Sequence, residues 1–305
     1  MKEYLDLVKY VLNNGVRKEN RTGIDTITTF GYHYNYDLKN GFPLLTTKKM
    51  AWKSLVHELL WFLSGSNNIQ EFRNYSRIWN EWADDEGNLD TAYGWYWRHF
   101  PSPNEGQMIS TKPGGYPIGY EWQFPEHTVQ FIDQIQNVVD EIRRNPNSRR
   151  LVVSAWEPGN AWKSKLPPCH LLYVFNVLDG KLNLHLTQRS ADVSLGVPFN
   201  IASYSLLLCL IAKYVGLESG IFSHTLIDAH IYTDKLDGGM AEYDHIPGLR
   251  EQLTRLPRAL PKLILPDNSV INDVLFSHKY QPELVSHFKL ENYDPYPTIN
   301  FKVAV

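Results

Sequence analysis

The side chain best suited to chemistry is the thiol of Cys169, which follows two prolines and precedes His170. Because consecutive prolines cannot continue a helix, this run predicts a loop that enters the apolar strand beginning at Leu171. Reactive groups commonly lie on loops held by a rigid scaffold, and a thiolate is a strong nucleophile. Cys209 lies within an apolar run and is interpreted as a buried, inert thiol. Cys169 is therefore the candidate catalytic nucleophile.

Three other polar side chains stand out by their setting. Glu58 occupies an otherwise apolar helical segment, where a carboxylate must be paired, solvated in a cleft or shifted in pKa. A structural ion pair remains as good an interpretation as a catalytic role. His230 and Tyr232 are separated by two positions on a predicted strand, so they point to one face. Without further context, they would be two ordinary polar residues of the core.

Four arginines could bind an anion, although the chain lacks the glycine-rich loops that cradle phosphates and has no HExxH metal motif. They are Arg21, Arg149, Arg150 and Arg189. Guanidinium groups bind phosphate through paired hydrogen bonds, so these residues could hold a nucleotide phosphate. The alternative is that each is an ordinary solvated surface arginine.

Composition excludes several classes of protein. Thirty basic and 33 acidic residues give a net charge of -3, so no basic excess indicates an obligatory nucleic acid partner. Two cysteines are too few for a disulfide scaffold or a zinc site. The N-terminus lacks a secretory apolar core, and the apolar stretch 206–212 is too short to span a bilayer. We expect a cytoplasmic protein without membrane contact.

Hydrophobic periodicity predicts the elements that must position these residues. Helices are predicted at 4–12, 53–63, 129–142 and 200–215, and strands at 151–156, 222–232 and 263–265. Segments 171–178 and 181–187 predict a hairpin around Asp179-Gly180. The elements do not alternate as βαβ units, which favours an α+β fold. We expect one domain over 1–305, with a loop insertion at about 102–126 that is rich in glycine and proline.

The order of the motifs resembles the thymidylate synthase family. The resemblance rests on these segments, read along the chain: Asn20-Arg21-Thr22-Gly23, Phe42-Pro43-Leu44-Leu45-Thr46-Thr47-Lys48-Lys49, Glu58-Leu59-Leu60-Trp61-Phe62, Ile78-Trp79-Asn80-Glu81-Trp82, Ser148-Arg149-Arg150, Pro167-Pro168-Cys169-His170, Gln188-Arg189-Ser190-Ala191-Asp192, Leu195-Gly196-Val197-Pro198-Phe199-Asn200 and Asp228-Ala229-His230-Ile231-Tyr232. The resemblance implies a mixed β-sheet packed with helices, with one sheet face forming a homodimer interface. It also implies reductive methylation of dUMP at carbon 5 by 5,10-methylenetetrahydrofolate.

The resemblance assigns nucleotide roles to particular residues. Cys169 would add to carbon 6 of the uracil ring, helped by the positive charge of Arg189. Asn200 would read the uracil edge, since its amide can satisfy both the ring N–H and the adjacent carbonyl. The remaining substrate-binding residues would be Arg21, His170, Gln188, Arg189, Ser190, His230 and Tyr232, with Arg149 and Arg150 contributed by the partner subunit.

Folate binding and proton transfer are implied in the same way. Glu58 would manage proton transfer through water, and Tyr93 would help to remove the proton from carbon 5. Asp192 matches both a catalytic and a folate-binding position. The other implied folate contacts are Lys48, Trp79, Trp82, Leu166, Leu195, Gly196, Phe199 and the terminal Val305. The folate would be a cosubstrate, and no metal is implied.

Several departures from the family pattern leave a second outcome open. They are Ile227, Val174, Thr187, the segment Thr91-Ala92-Tyr93-Gly94-Trp95 and the pair Asp234-Lys235. If water instead of hydride reached the carbon transferred to the ring, the enzyme would be a dUMP hydroxymethylase releasing tetrahydrofolate. Trp79 and Val305 favour the water-excluding hydride route. A non-catalytic relative that binds RNA through its arginines is disfavoured by the balanced charge and by the presence of Cys169.

Overall fold

The structure is a computed structural model that describes residues 1–20, 23–90, 92–102, 107–109, 121–123, 130–161, 164–234 and 241–303. Its α-helices are α1 (Lys2–Asn14), α2 (Trp52–Ser64), α3 (Tyr93–Arg98), α4 (Gln134–Arg144), α5 (Pro158–Ala161), α6 (Gly196–Val215), α7 (Ile246–Thr254) and α8 (Asn268–Phe276). Its strands are β1 (Val16–Lys18), β2 (Asp25–Asp37), β3 (Phe100–Ser102), β4 (Gln107–Ile109), β5 (Glu121–Gln123), β6 (Gln130–Ile132), β7 (Val152–Ser154), β8 (His170–Leu178), β9 (Lys181–Asp192), β10 (Glu218–Thr233), β11 (Lys262–Ile264) and β12 (Lys289–Glu291).

The central feature is a six-stranded sheet in the order β1-β2-β10-β9-β8-β7. β9 and β10 run parallel, and the other neighbouring pairs are antiparallel. Three two-stranded sheets, β11-β12, β3-β6 and β4-β5, lie outside it. This mixed sheet with packed helices confirms the predicted α+β class.

The helix α6 packs on one face of the sheet, against β9 and β10, and is itself covered by α2, α4 and α8. By length and composition α6 could cross a membrane, yet most of its apolar stretch is buried inside the protein. A helix that is apolar all round is the expected core helix of a large domain. It ends at Gly216, whose φ of +76° is the left-handed conformation of a helix C-cap.

The predicted hairpin is confirmed, and its turn explains the choice of residues. Asp179 and Gly180 have φ angles of 51° and 70°, and Leu178 pairs with Lys181 directly across the turn. Positive φ at both central positions is the geometry that suits the right-handed twist of the flanking strands. The hairpin therefore sets the register of β8 against β9, and with it the distance from Cys169 to Arg189.

The predicted third helix was wrong at its start. Ile132 pairs with Phe100 in a short strand, and α4 begins only at Gln134. The reason is the side chain of Asp133, whose Oδ1 accepts a hydrogen bond from the backbone N–H of Gln136 at 2.9 Å. This N-cap satisfies a donor of the first helical turn and stops the helix from extending backwards. Of the predicted insertion at 102–126, most lies outside the described residues.

Candidate active site

One edge of the central sheet gathers the candidate residues. β9 and β10 are parallel and end there together, while the antiparallel β8 begins there. The N-terminal turns of α6 open at the same edge. A cavity of about 640 Å³ lies at this edge. Its lining includes 17 of the residues singled out from the sequence, namely Glu58, Trp79, Trp82, Tyr93, Leu166, Cys169, His170, Gln188, Arg189, Ser190, Asp192, Leu195, Gly196, Phe199, Asn200, His230 and Tyr232.

The loop carrying Cys169 is held from two sides. The guanidinium of Arg189 donates to the carbonyl oxygens of Pro168 at 3.0 Å and Pro167 at 2.6 Å. The backbone N–H of Cys169 donates to the phenolic oxygen of Tyr93 at 2.8 Å. The two bonds from Arg189 use two of the five N–H donors of its guanidinium group. Arg189 thus fixes the loop and brings a positive charge close to the thiol.

Tyr93 is buried beside this loop, and its ring stacks on His170 with 4.6 Å between the centroids. Burial raises the pKa of Tyr93 well above its ordinary value, and the neighbouring Cys169 contributes in the same direction. Burial also lowers the pKa of His170 to about 4, against a smaller opposing contact with Asn200. Both rings are therefore neutral at physiological pH. The second thiol, Cys209, has a pKa raised to about 11 by burial, which leaves it protonated.

Glu58 projects into the cavity from the buried helix α2. Its Oε1 accepts a hydrogen bond from the indole N–H of Trp79 at 2.9 Å. Burial raises the pKa of Glu58 to about 7, while the bond from Trp79 acts in the opposite direction. A carboxyl group with a pKa close to 7 can both give and accept a proton at neutral pH. Among the described residues, Glu58 forms no ion pair of the kind that the sequence left open, and its hydrogen-bond partner is the indole of Trp79.

Aromatic side chains form a wall next to this carboxyl group. The Trp79 ring lies within 6 Å of the rings of Trp61, Phe62, Trp82 and Tyr93. Gly94 lets α3 approach α2 closely, since a Cβ atom there would overlap the backbone carbonyl of Phe62. Only glycine fits at this crossing, and the crossing places Tyr93 against the wall.

The opposite end of the cavity is polar. Asp228 accepts hydrogen bonds from Thr28 at 2.8 Å and Lys18 at 3.1 Å, and its other contact is Nδ1 of His230 at 3.0 Å. Burial alone would raise the pKa of Asp228, but the bonds from His230, Thr28 and Lys18 together hold it below its usual range. Asp228 therefore stays ionised and fixes the orientation of the His230 ring.

Asp192 organises the entry to α6. Its Oδ1 accepts from the backbone N–H groups of Ser194 at 2.8 Å and Leu195 at 3.3 Å. This arrangement holds the turn that precedes Gly196, so the first turn of α6 faces the cavity.

Five of the predicted site residues are not among those that line this cavity; three of them are described, and two lie outside the described residues. Arg149 and Arg150 are exposed and outside the lining. Lys48 is buried, donates to the carbonyl of Ser194 at 2.6 Å and has its pKa lowered to about 8 by burial. Arg21 and Val305 lie outside the described residues.

The structure adds lining residues that the sequence did not single out: Lys18, Asn20, Thr26, Phe62, Ile78, Pro167 and Val303. The sequence motifs given above already include Asn20, Phe62, Ile78 and Pro167, so the sequence did indicate these four residues. No sequence motif indicated Lys18, because its partner Asp228 is 210 positions away in the chain. Within the described ranges, no group of three or more His, Cys, Asp or Glu side chains could hold a metal ion.

A thiol, a carboxyl group of raised pKa and a guanidinium in one cavity form a set of groups typical of an enzyme active site. The family profile of thymidylate synthase matches residues 2–305. A thymidylate synthase from Haloferax volcanii is 43% identical over 342 aligned residues, which cover 98% of this chain and 95% of that protein. The chain therefore belongs to the thymidylate synthase family, a family of one-carbon transferases acting on a pyrimidine deoxynucleotide, and the predicted resemblance is confirmed.

Proposed function

We propose that the cavity carries out the reductive methylation of dUMP at carbon 5, giving dTMP. The observation that carries this proposal is the presence of Cys169, Arg189 and Asn200 in one cavity together with Glu58. The four side chains meet separate needs of the reaction. They supply a nucleophile for the ring, a cation for the phosphate, an amide for the uracil edge and a group for proton transfer.

The first step follows from the weakness of the uracil ring as an electrophile. The Cys169 thiolate adds to carbon 6, and the electron pair of the ring double bond makes carbon 5 nucleophilic. Arg189 supports the thiolate form by its positive charge and holds the loop in place. After carbon 5 has gained the new carbon and lost its proton, the folate nitrogen leaves and an exocyclic methylene forms at carbon 5. Hydride from the released tetrahydrofolate then adds to this methylene, the bond from carbon 6 to sulfur breaks, and the thiolate, dTMP and dihydrofolate are released.

The cosubstrate supported by the cavity is 5,10-methylenetetrahydrofolate, which supplies the one-carbon unit and the hydride. Trp79, Trp82, Leu195 and Phe199 give the cavity a largely apolar side that fits a flat ring system. Glu58, with a pKa of about 7, can exchange a proton there, and Tyr93 lies beside the nucleophile. Lys48 as a contact of the folate glutamate tail stays a prediction.

The hydride outcome is favoured over the hydroxymethylase outcome by the position of the departures from the family pattern. Val174, Thr187 and Ile227 are not among the residues that line the cavity. Thr187 instead contacts His185, its neighbour two positions earlier on β9, at 3.3 Å. Thr91 and Lys235 lie outside the described residues. Water exclusion by the aromatic wall supports hydride transfer.

We also propose that the enzyme is a homodimer, with the sheet face opposite α6 as the interface. Val152, on this sheet, is 41% exposed, and Arg149 and Arg150 precede it on the surface. In the proposed dimer, these exposed arginines would reach the cavity of the second subunit and bind the phosphate there. A two-fold dimer would give each cavity the same pair of partner arginines.

The experiment is to incubate the protein with dUMP and 5,10-methylenetetrahydrofolate, and to identify both products. The proposal predicts dTMP with dihydrofolate. Cys169→Ala should abolish turnover and keep nucleotide binding, whereas appreciable activity of this variant refutes the covalent mechanism. 5-Hydroxymethyl-dUMP with tetrahydrofolate would instead establish the hydroxymethylase.

The same variant tests the shared site. When Cys169→Ala is refolded together with a protein carrying Arg149→Ala and Arg150→Ala, hybrid dimers contain one complete cavity. Activity should return to roughly a quarter of the wild-type value at equal mixing. If the mixture is no more active than its two components, the arginines do not act across an interface.

A further inference from the structure

A chain of four buried polar side chains crosses the sheet and ends in the cavity. It begins at Tyr34 on β2, passes through His224 on β10 and Gln188 on β9, and reaches Asn200 on α6. Successive side-chain atoms are 2.7, 3.0 and 3.1 Å apart. Tyr34 and His224 are directly opposite each other in the sheet, and neither lines the cavity. The two outer members therefore have no direct access to a substrate.

The direction of every hydrogen bond in this chain is fixed by one backbone carbonyl. Nε2 of Gln188 lies 2.9 Å from the carbonyl oxygen of Ser190, and a carbonyl oxygen can only accept. The amide of Gln188 must therefore turn its NH₂ group toward Ser190 and Asn200, and its oxygen toward His224. His224 donates from Nε2, so its Nδ1 must accept from Tyr34.

The protonation states agree with this direction. Burial lowers the pKa of His224 well below its ordinary value, and it raises that of Tyr34 well above. A neutral imidazole has one donor and one acceptor, and a protonated phenol can donate. The tautomer of His224 that carries its hydrogen on Nε2 is thus the one selected by the Tyr34 hydroxyl.

This series of hydrogen-bonded side chains affects how the cavity can recognise the base of a nucleotide. Uracil presents a ring N–H and a carbonyl oxygen where cytosine presents an unprotonated ring nitrogen and an amino group. An asparagine that could rotate its amide by 180° would match either base. Because Gln188 donates to Oδ1 of Asn200, the oxygen and the NH₂ group of that amide have fixed places.

We propose that Tyr34 and His224 are positioning residues that lock the Asn200 amide in the orientation that accepts uracil and rejects cytosine. The proposal rests on the proposed function, since it requires a uracil nucleotide in the cavity. In Tyr34→Phe, Nδ1 of His224 loses its donor, so the imidazole can adopt the other tautomer. Gln188 and then Asn200 can rotate to follow it, although Gln188 then turns its oxygen toward the carbonyl of Ser190 and loses that hydrogen bond.

The test is calorimetric binding of dUMP and of dCMP to the full-length protein. Failure of the wild type to bind dUMP would refute the proposed function, independently of the positioning chain. If the wild type binds dUMP, Tyr34→Phe should lower the ratio of the dCMP to the dUMP dissociation constant by about tenfold, since one buried hydrogen bond of about 1.4 kcal/mol is lost. An equal change in both dissociation constants overturns the proposal, because general loosening of the protein does not distinguish the bases.

The matched control is Tyr36→Phe, which removes a buried phenolic hydroxyl on the same strand that donates to the carbonyl of Gly41 at 3.2 Å. In Tyr36→Phe, the ratio of the dCMP to the dUMP dissociation constant should equal that of the wild type. If this ratio falls to a similar extent in Tyr36→Phe and Tyr34→Phe, the proposed role of the hydrogen-bonded side chains is refuted. His224→Gln provides a second measurement, independent of whether Tyr34→Phe folds. A glutamine can accept from Tyr34 and donate to Gln188, so the wild-type ratio should be retained within about threefold. A larger fall in that variant contradicts the proposed direction of the bonds.

Discussion

Replacing Glu58 with glutamine tests two properties of this carboxyl group separately: whether turnover requires it, and how much its burial lowers the free energy of unfolding. Burial raises its pKa from 4.5 to about 7, which means that the folded protein disfavours the ionised form. The free energy of unfolding is therefore reduced as the pH rises from 4.5 through 7, because the unfolded chain releases this proton first. Above pH 7 the full shift corresponds to roughly 3 kcal/mol.

Glutamine has nearly the same shape, can accept the hydrogen bond from Trp79 and carries no charge. Glu58→Gln should consequently be more stable than the wild type at alkaline pH, and the gain should grow by about 2.5 kcal/mol between pH 5 and pH 8. The assay is urea unfolding of both proteins at fixed concentration and at several pH values. Turnover should fall sharply in the same variant. A stability difference that does not change with pH would show that the carboxyl group titrates normally and would refute the reasoning.

Two further substitutions test the surroundings of this group. Trp79→Phe removes the hydrogen bond that lowers the pKa of Glu58, so the pH profile of turnover should shift to higher pH; an unchanged profile would exclude Glu58 as the titrating group. Gly94→Ala places a methyl group against the carbonyl of Phe62, so α3 must move away from α2 and displace Tyr93. We expect a loss of about 2 kcal/mol or more in the free energy of unfolding, together with reduced turnover; retention of both by the variant would show that the helices can adjust.

Some elements of the fold could be predicted because their signals are local. The hairpin depends on two neighbouring residues with positive φ, Asp179 and Gly180, and the end of α6 depends on Gly216. The long strand β2 was not predicted, although Tyr32, Tyr34 and Tyr36 alternate there with the exposed His33 and Asn35, a period of two that is typical of a half-buried strand. That strand is stabilised by its pairing with β10, a contact between distant parts of the chain.

Most residues that line the cavity belong to the motifs found in the sequence, but the contacts that arrange them could not be predicted from those motifs. Arg189 was expected near the thiol and the phosphate, whereas its bonds to the carbonyl groups of Pro167 and Pro168 depend on how β8 meets β9. The contact of Lys18 with Asp228 likewise joins strands that are remote in sequence. Such contacts carry no local signal, because their geometry is determined by tertiary packing.

The two ends of the cavity differ in whether the protein favours the neutral or the charged form of a titratable side chain. At the end formed by α2 and β8, burial moves Glu58 and His170 toward their neutral forms. At the end formed by β1 and β10, Lys18 and His230 hold Asp228 in its charged form. Under the proposed function, a nucleotide would bind in one orientation, with its base and the hydride step at the neutral end, where water is least favoured, and its sugar at the polar end. On that proposal, the burial that weakens the fold at Glu58 would also keep water from the reacting carbon.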